Sequence, residues 1–176
     1  MKGFNYSILL MIIALLVAGC ASGSKEGAES TITMEHLANM EYQSEFTQSG
    51  TAPLENGEYS EEAAPGSATQ TSVMLTDHVA FGELNGEPAA AVVLVTDPGG
   101  SGTFYSLHVV VNQDGELIDI ANTNLGDRVQ INSLAIEDGK IVVDMVTHGP
   151  DDPMCCPTQE VTKRYELQDE LVEVPS

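Results

Sequence analysis

The chain has 176 residues, of which 27 are acidic and six basic, a formal net charge of −21 at neutral pH. Nucleic-acid affinity is built from Lys and Arg contacts to phosphate, so this balance excludes a nucleic-acid function.

At the N-terminus Lys2 precedes an apolar run over residues 8–17, which leads into Val17-Ala18-Gly19-Cys20. A charged start, an apolar segment shorter than the roughly 20 residues a spanning helix needs, and small residues before a cleavage point form an export signal. The polar stretch over 21–26 ends the run. Residues 17–20 resemble a bacterial lipobox. The resemblance implies cleavage before Cys20, a diacylglycerol on its thiol and an acyl chain such as palmitate on the new amino group, and two or more chains suffice for stable anchoring. A plain anchor helix and secretion without lipid remain the alternatives at this point. Ala21 is not the aspartate that commonly signals inner-membrane retention, so in a cell with two membranes the periplasmic face of the outer one is expected.

Loss of residues 1–19 removes Lys2 and no acid, leaving 157 residues with five basic and 27 acidic side chains. That length suits one domain. The plain reading of the acidity is solubility and self-repulsion at a crowded membrane surface, with a specific basic partner or a cation-buffering role as the alternative. Residues 20–30 are small and polar and read as a lipidated tether. In region 31–71, Met34, Leu37, Ala38 and Tyr42 recur at helical spacing behind Thr31 and Thr33, either of which can cap a short helix. Gly50, Pro53, Asn56-Gly57 and Pro65-Gly66 then predict mobile loops around at most a weak hairpin.

Residues 72–176 read as a β-rich domain, an antiparallel sheet or sandwich-like arrangement of short β-branched runs separated by turns. Strands are predicted over 73–81 and 89–96, the second apolar almost throughout and so central, with both faces covered. After the turn at 97–102, a strand over 104–111 alternates Tyr105, Leu107, Val109 and Val111 with Ser106 and His108. Asp114-Gly115 turns it into a strand over 116–121, and Asp138-Gly139 joins strands over 129–137 and 140–147. The apolar register slips from Val129 and Ile131 to Leu134 and Ile136, which predicts a bulge near Asn132-Ser133. A closing pair of strands runs over 161–167 and 171–174.

From 73 to 167 the order of motifs resembles a family of uncharacterised bacterial lipoproteins, some of them cyanobacterial. The motifs are Gly82-Glu83-Leu84-Asn85-Gly86-Glu87, Gly99-Gly100-Ser101-Gly102-Thr103-Phe104-Tyr105, Leu125-Gly126-Asp127-Arg128-Val129 and Gly149-Pro150-Asp151-Asp152-Pro153-Met154-Cys155-Cys156-Pro157. A weaker similarity extends to LppP/LprE-type mycobacterial lipoproteins and to the FG-GAP repeats of β-propellers. The resemblance implies an envelope location and a β-rich fold.

Three groups of residues invite chemistry. Glu83, Asn85 and Glu87 alternate oxygens as calcium loops do, but glutamates replace the usual aspartates, Pro88 replaces a glycine and the closing aspartate is missing. A degenerate loop acting as a hydrogen-bonded turn is the simpler reading. With Cys20 lipidated, Cys155 and Cys156 are the remaining thiols. Adjacent Cα atoms lie about 3.8 Å apart, below the roughly 4.4–6.8 Å of ordinary disulfides, so a vicinal disulfide would be a strained one. Two exposed thiols do not persist in an oxidising compartment. The options are a vicinal bridge, burial, an intermolecular bond, redox activity, or a copper or zinc site with Met154 and His148. Gly99 to Thr103 differs from a nucleophile elbow at its fifth position and precedes a strand. His36, His78, His108 and His148 are scattered. His108 reads as a half-exposed or hydrogen-bonded sheet residue, and Asp127-Arg128 as an exposed ion pair. The expectation is a non-enzymatic, lipid-tethered envelope module with no cofactor beyond the lipid on Cys20 and an unknown envelope partner. The alternative is a soft-metal lipoprotein using the Cys155-Cys156 loop.

Overall fold

A computed structural model describes residues 31–175. The expected export signal, Cys20 and the expected tether lie outside the described residues. No helix among the described residues is long and apolar enough to cross a membrane.

The chain opens with α1 (Met34–Leu37), a single turn whose N-cap Thr33 accepts a hydrogen bond from the His36 amide. Helical spacing extends to Tyr42, but the helix stops because its last carbonyls are taken by other donors. The Tyr42 hydroxyl donates to Leu37 O at 2.9 Å and the Gly57 amide to Ala38 O at 2.7 Å. Tyr42 falls instead in β1 (Glu41–Gln43), paired with β2 (Thr51–Pro53). Region 48–71 is thus more ordered than the loops predicted for it, since it also holds β3 (Glu58–Glu62). Its apolar positions, Ala52 and Leu54, are buried but too few to show a period.

Two antiparallel meanders follow. β3, β4 (Gln70–Leu84), β5 (Glu87–Asp97), β6 (Phe104–Gln113) and β7 (Glu116–Asp127) form a five-stranded sheet in chain order. β8 (Gln130–Glu137), β9 (Lys140–Thr147), β10 (Gln159–Leu167) and β11 (Leu171–Val174) form a four-stranded sheet. The fold is therefore mainly β, a single small domain of antiparallel sheets with a curled, half-barrel sheet among them. Asp114-Gly115 and Asp138-Gly139 close two hairpins with both residues of each pair at positive φ, as a tight primed turn demands. The predicted slip at Asn132-Ser133 is a register shift between Ile131 and Ser133 against β9.

The two faces of β5 explain its unbroken apolar run. Ala89, Ala91 and Val93 join Leu107, Val109, Ile141, Val143 and Tyr165 in a core between the sheets. Ala90, Val92 and Leu94 pack on the opposite side against Leu37, Tyr42, Ala52 and Leu54. The N-terminal turn and hairpin are thus a third layer over the larger sheet. β4 bends at a register break between Leu75 and Val79, and its far half meets β8, where a Cβ on Gly82 would sit 2.8 Å from Ile136.

β7 continues six residues beyond its predicted end at Ala121. Asn122, Asn124 and Gly126 hide the strand in the sequence. Two bulges, between Tyr105 and Ser106 and between Val109 and Val110 in the β6 register, fit those residues into the ladder.

Candidate functional site

The turn at Glu83, Asn85 and Glu87 is a two-residue hairpin between β4 and β5, with Leu84 facing Glu87 across it. The Asn85 side-chain amide donates to Leu167 O at 3.1 Å, which ties one sheet to the other. Among the described residues no three His, Cys, Asp or Glu side chains converge to hold a metal.

Three of the sequence motifs meet at one end of the fold. Asp127, ending β7, accepts from the Thr103 amide at 2.7 Å and from Arg128 Nη1 at 2.5 Å. Arg128 N donates to Thr103 O, and Arg128 Nη1 reaches Met154 O at 3.1 Å. The exposed ion pair expected at Asp127-Arg128 is instead largely covered, at 18% and 27% side-chain exposure, because it clamps the glycine turn to the cysteine loop. Within that loop Asp152 accepts from the Gly149 and Thr158 amides and the Thr158 hydroxyl. The Gly149 amide, followed by the Thr158 groups, holds the Asp152 carboxyl below the usual carboxylate range.

Cys155 and Cys156 are joined by a disulfide between adjacent residues, with Cα atoms 3.7 Å apart. Both are exposed, as is Met154, at 73%. Pro157 beyond them is buried. His148 stands at the root of the loop, its Nε2 buried and without a hydrogen-bond partner among the described residues. The loop gathers Met154 and the two sulfurs, which carry no thiolate charge while bonded to each other.

A second constellation escapes the sequence. Ser106 Oγ lies 2.8 Å from His108 Nε2, and His108 Nδ1 lies 2.8 Å from Asp119 Oδ2. Both members of the His–Asp pair have side chains only 2% exposed, so of its two expected states His108 is the hydrogen-bonded sheet residue and not the half-exposed one. Asp119 Oδ2 also accepts from the Gln43 amide, and the Gln43 side chain donates to Asp119 O. Tyr42 meets the imidazole edge-on at 5.4 Å. Burial, followed by the nearby Asp119 charge, pushes the Tyr42 hydroxyl pKa well up. A neutral imidazole with its proton on Nδ1 satisfies both ring contacts, the hydrogen-bond order of a serine-nucleophile triad. Ser106 nonetheless sits on a strand paired along both edges, whose amides serve the ladder rather than an oxyanion. The network fastens β1 onto β7.

Beside it lies a cleft of about 930 Å³ between the N-terminal layer and the β6–β7 turn. Glu35, Glu41, Glu116 and Asp119 line it together with His36, and no Lys or Arg is among the described lining residues. Asp119 Oδ1 is buried without a hydrogen-bond partner among the described residues. No protein family, curated protein or solved structure matches this chain.

Proposed function

We propose that this chain is a lipid-anchored envelope protein, tethered through Cys20 and working as a non-enzymatic binding module whose cleft takes a cationic ligand such as a linear polyamine. The observation that carries the reading is the lining of the cleft, where Glu35, Glu41 and Glu116 are exposed, Asp119 lies buried beside them and no Lys or Arg is among the described lining residues. Carboxylates gathered around one concave space raise the local concentration of cations. The cleft volume falls in the range of small-molecule sites, roughly 300–1,000 Å³. The export signal and lipobox-like start support placement at the periplasmic face of an outer membrane.

Thermal unfolding of the full chain with spermidine, against sodium chloride of equal ionic strength, tests the cleft. Ligand that binds only the folded state raises the Tm as its concentration passes Kd. The expected result is a saturable rise that is lost in Glu41→Gln/Glu116→Gln, a pair of exposed rim changes compatible with folding. Equal shifts with spermidine and salt would overturn the cationic-ligand reading.

A second reading, a soft-metal lipoprotein, is favoured by the shared exposure of Met154, Cys155 and Cys156 on one loop, with His148 at its root. It belongs to the reduced protein, since thiolates rather than a disulfide ligate copper or zinc.

A further inference from the structure

We propose that Cys155–Cys156 is a thiol–disulfide exchange centre that accepts two electrons from a protein dithiol. The disulfide is poorly suited to a stabilising role. A cross-link stabilises chiefly by restricting the unfolded chain, an effect that grows with the loop it closes, and this one joins neighbours. The loop has other fastenings. Asp152 holds Gly149 and Thr158, Arg128 holds the Met154 carbonyl, the Cys156 amide donates to Pro153 O and Pro157 is buried. None of these contacts involves a sulfur atom, so the loop can keep its shape whether the bond is open or closed.

Both cysteines are open to attack, the first requirement for exchange. Pro153 and Pro157 bracket the pair and limit the backbone freedom around it. The two sulfurs therefore remain neighbours after reduction, and re-closure is an intramolecular step of high effective concentration.

A partner thiolate attacks one of the two sulfurs, the bond between Cys155 and Cys156 breaks, an intermolecular disulfide forms, and the other cysteine leaves as thiolate and takes a proton from water. The partner's second thiolate then attacks the partner's own sulfur in that mixed disulfide. The partner departs as a disulfide and the remaining cysteine is protonated. The partner's two thiols give their protons to water on ionising and the two cysteines take two protons back, so the net transfer is two electrons and two protons from the partner dithiol to this chain. The net charge of −21 repels small anionic thiols and favours a dithiol protein with a basic face.

The test uses the full mature chain in detergent micelles, with reduced thioredoxin as the probe dithiol, glutathione as the small-thiol control and maleimide tags located by peptide mass. The expected result is no tag on Cys155 or Cys156 before reduction and two tags after it, with an unchanged far-ultraviolet circular dichroism spectrum. A thioredoxin lacking its second cysteine should accumulate as a mixed disulfide at residue 155 or 156. At low salt a basic-faced dithiol variant should outpace glutathione at least about tenfold, the lower end of electrostatic steering. Tags present before reduction, tags that appear only on denaturation, or loss of the β signal on reduction would each overturn the proposal. Equal rates for the two reductants would overturn the choice of a protein dithiol. Each readout is independent of whether the cleft binds spermidine.

Discussion

Asp119 shows how a single position can be chemically central and invisible in sequence. A strand alternates its faces, so Asp119 should share the face of Ala121, which points into the core between the sheets. The bulge opposite Val109 and Val110 absorbs Ile120, pairs Asp119 with Val110 and turns the carboxylate toward His108. Ser106 and His108 were legible as one polar face; their acid was not, because register across a bulge is a property of two strands. Replacing Asp119 strands a buried imidazole N–H and the Gln43 amide together. Asp119→Ala should therefore cost about 2–6 kcal/mol, two buried donors left unsatisfied at about 1–3 kcal/mol each. Ser106→Ala removes one hydrogen bond at a half-buried site and should cost about 1 kcal/mol. Urea unfolding of the two variants checks this ordering, and a Ser106→Ala loss as large as that of Asp119→Ala would contradict the view that Asp119 anchors the network.

At the scale of elements, the readable parts were those where one segment determines its own state. β5 announces coverage of both faces through its unbroken apolar run, and the Asp-Gly pairs announce their turns because positive φ favours those residues. The helix at Met34 was overextended because its end depends on Gly57 and Tyr42, remote donors that take its carbonyls. The bend of β4 was unreadable because it lies in the pairing with β5, where the Thr76 hydroxyl takes Val93 O and interrupts the register, and it brings the far half of β4 against β8. That contact makes a prediction about glycines. Gly82→Ala would place a Cβ 2.8 Å from both Cβ and Cγ2 of Ile136, atoms fixed close to the backbone, whereas Gly100 has open space around it. Gly82→Ala should destabilise by about 1–3 kcal/mol through overpacking, and Gly100→Ala should leave the Tm nearly unchanged. Calorimetry on the pair distinguishes a close strand contact from a general sensitivity to losing glycine.

For the whole molecule the acidity and the hydrogen-bonded carboxylates act in opposite directions as pH falls. Self-repulsion among 27 acidic residues opposes compaction at neutral pH and fades as the chain approaches its isoelectric point near 4.1. Asp144 and Asp152 oppose that gain. Thr162 and then Ser133 donate hydroxyl hydrogen bonds to Asp144 across β10, β9 and β8, and hold its carboxyl below the usual range, as Gly149 and Thr158 do for Asp152. A carboxyl depressed in the folded state binds its proton first in the unfolded chain. Its stabilisation is complete above the unfolded aspartate value of about 3.9 and disappears as pH falls through the lower folded value. Stability should therefore rise gently from pH 7 toward about 5, as glutamates begin to protonate, and fall below about 4. The chain would then be most stable on the acid side of neutrality although it carries its greatest charge above it. Urea midpoints across this range at constant ionic strength give the curve, and Asp152→Asn should flatten its acid limb because amide oxygen and nitrogen do not titrate. A midpoint that keeps rising to pH 3 would mean that relief of repulsion outweighs both carboxylates.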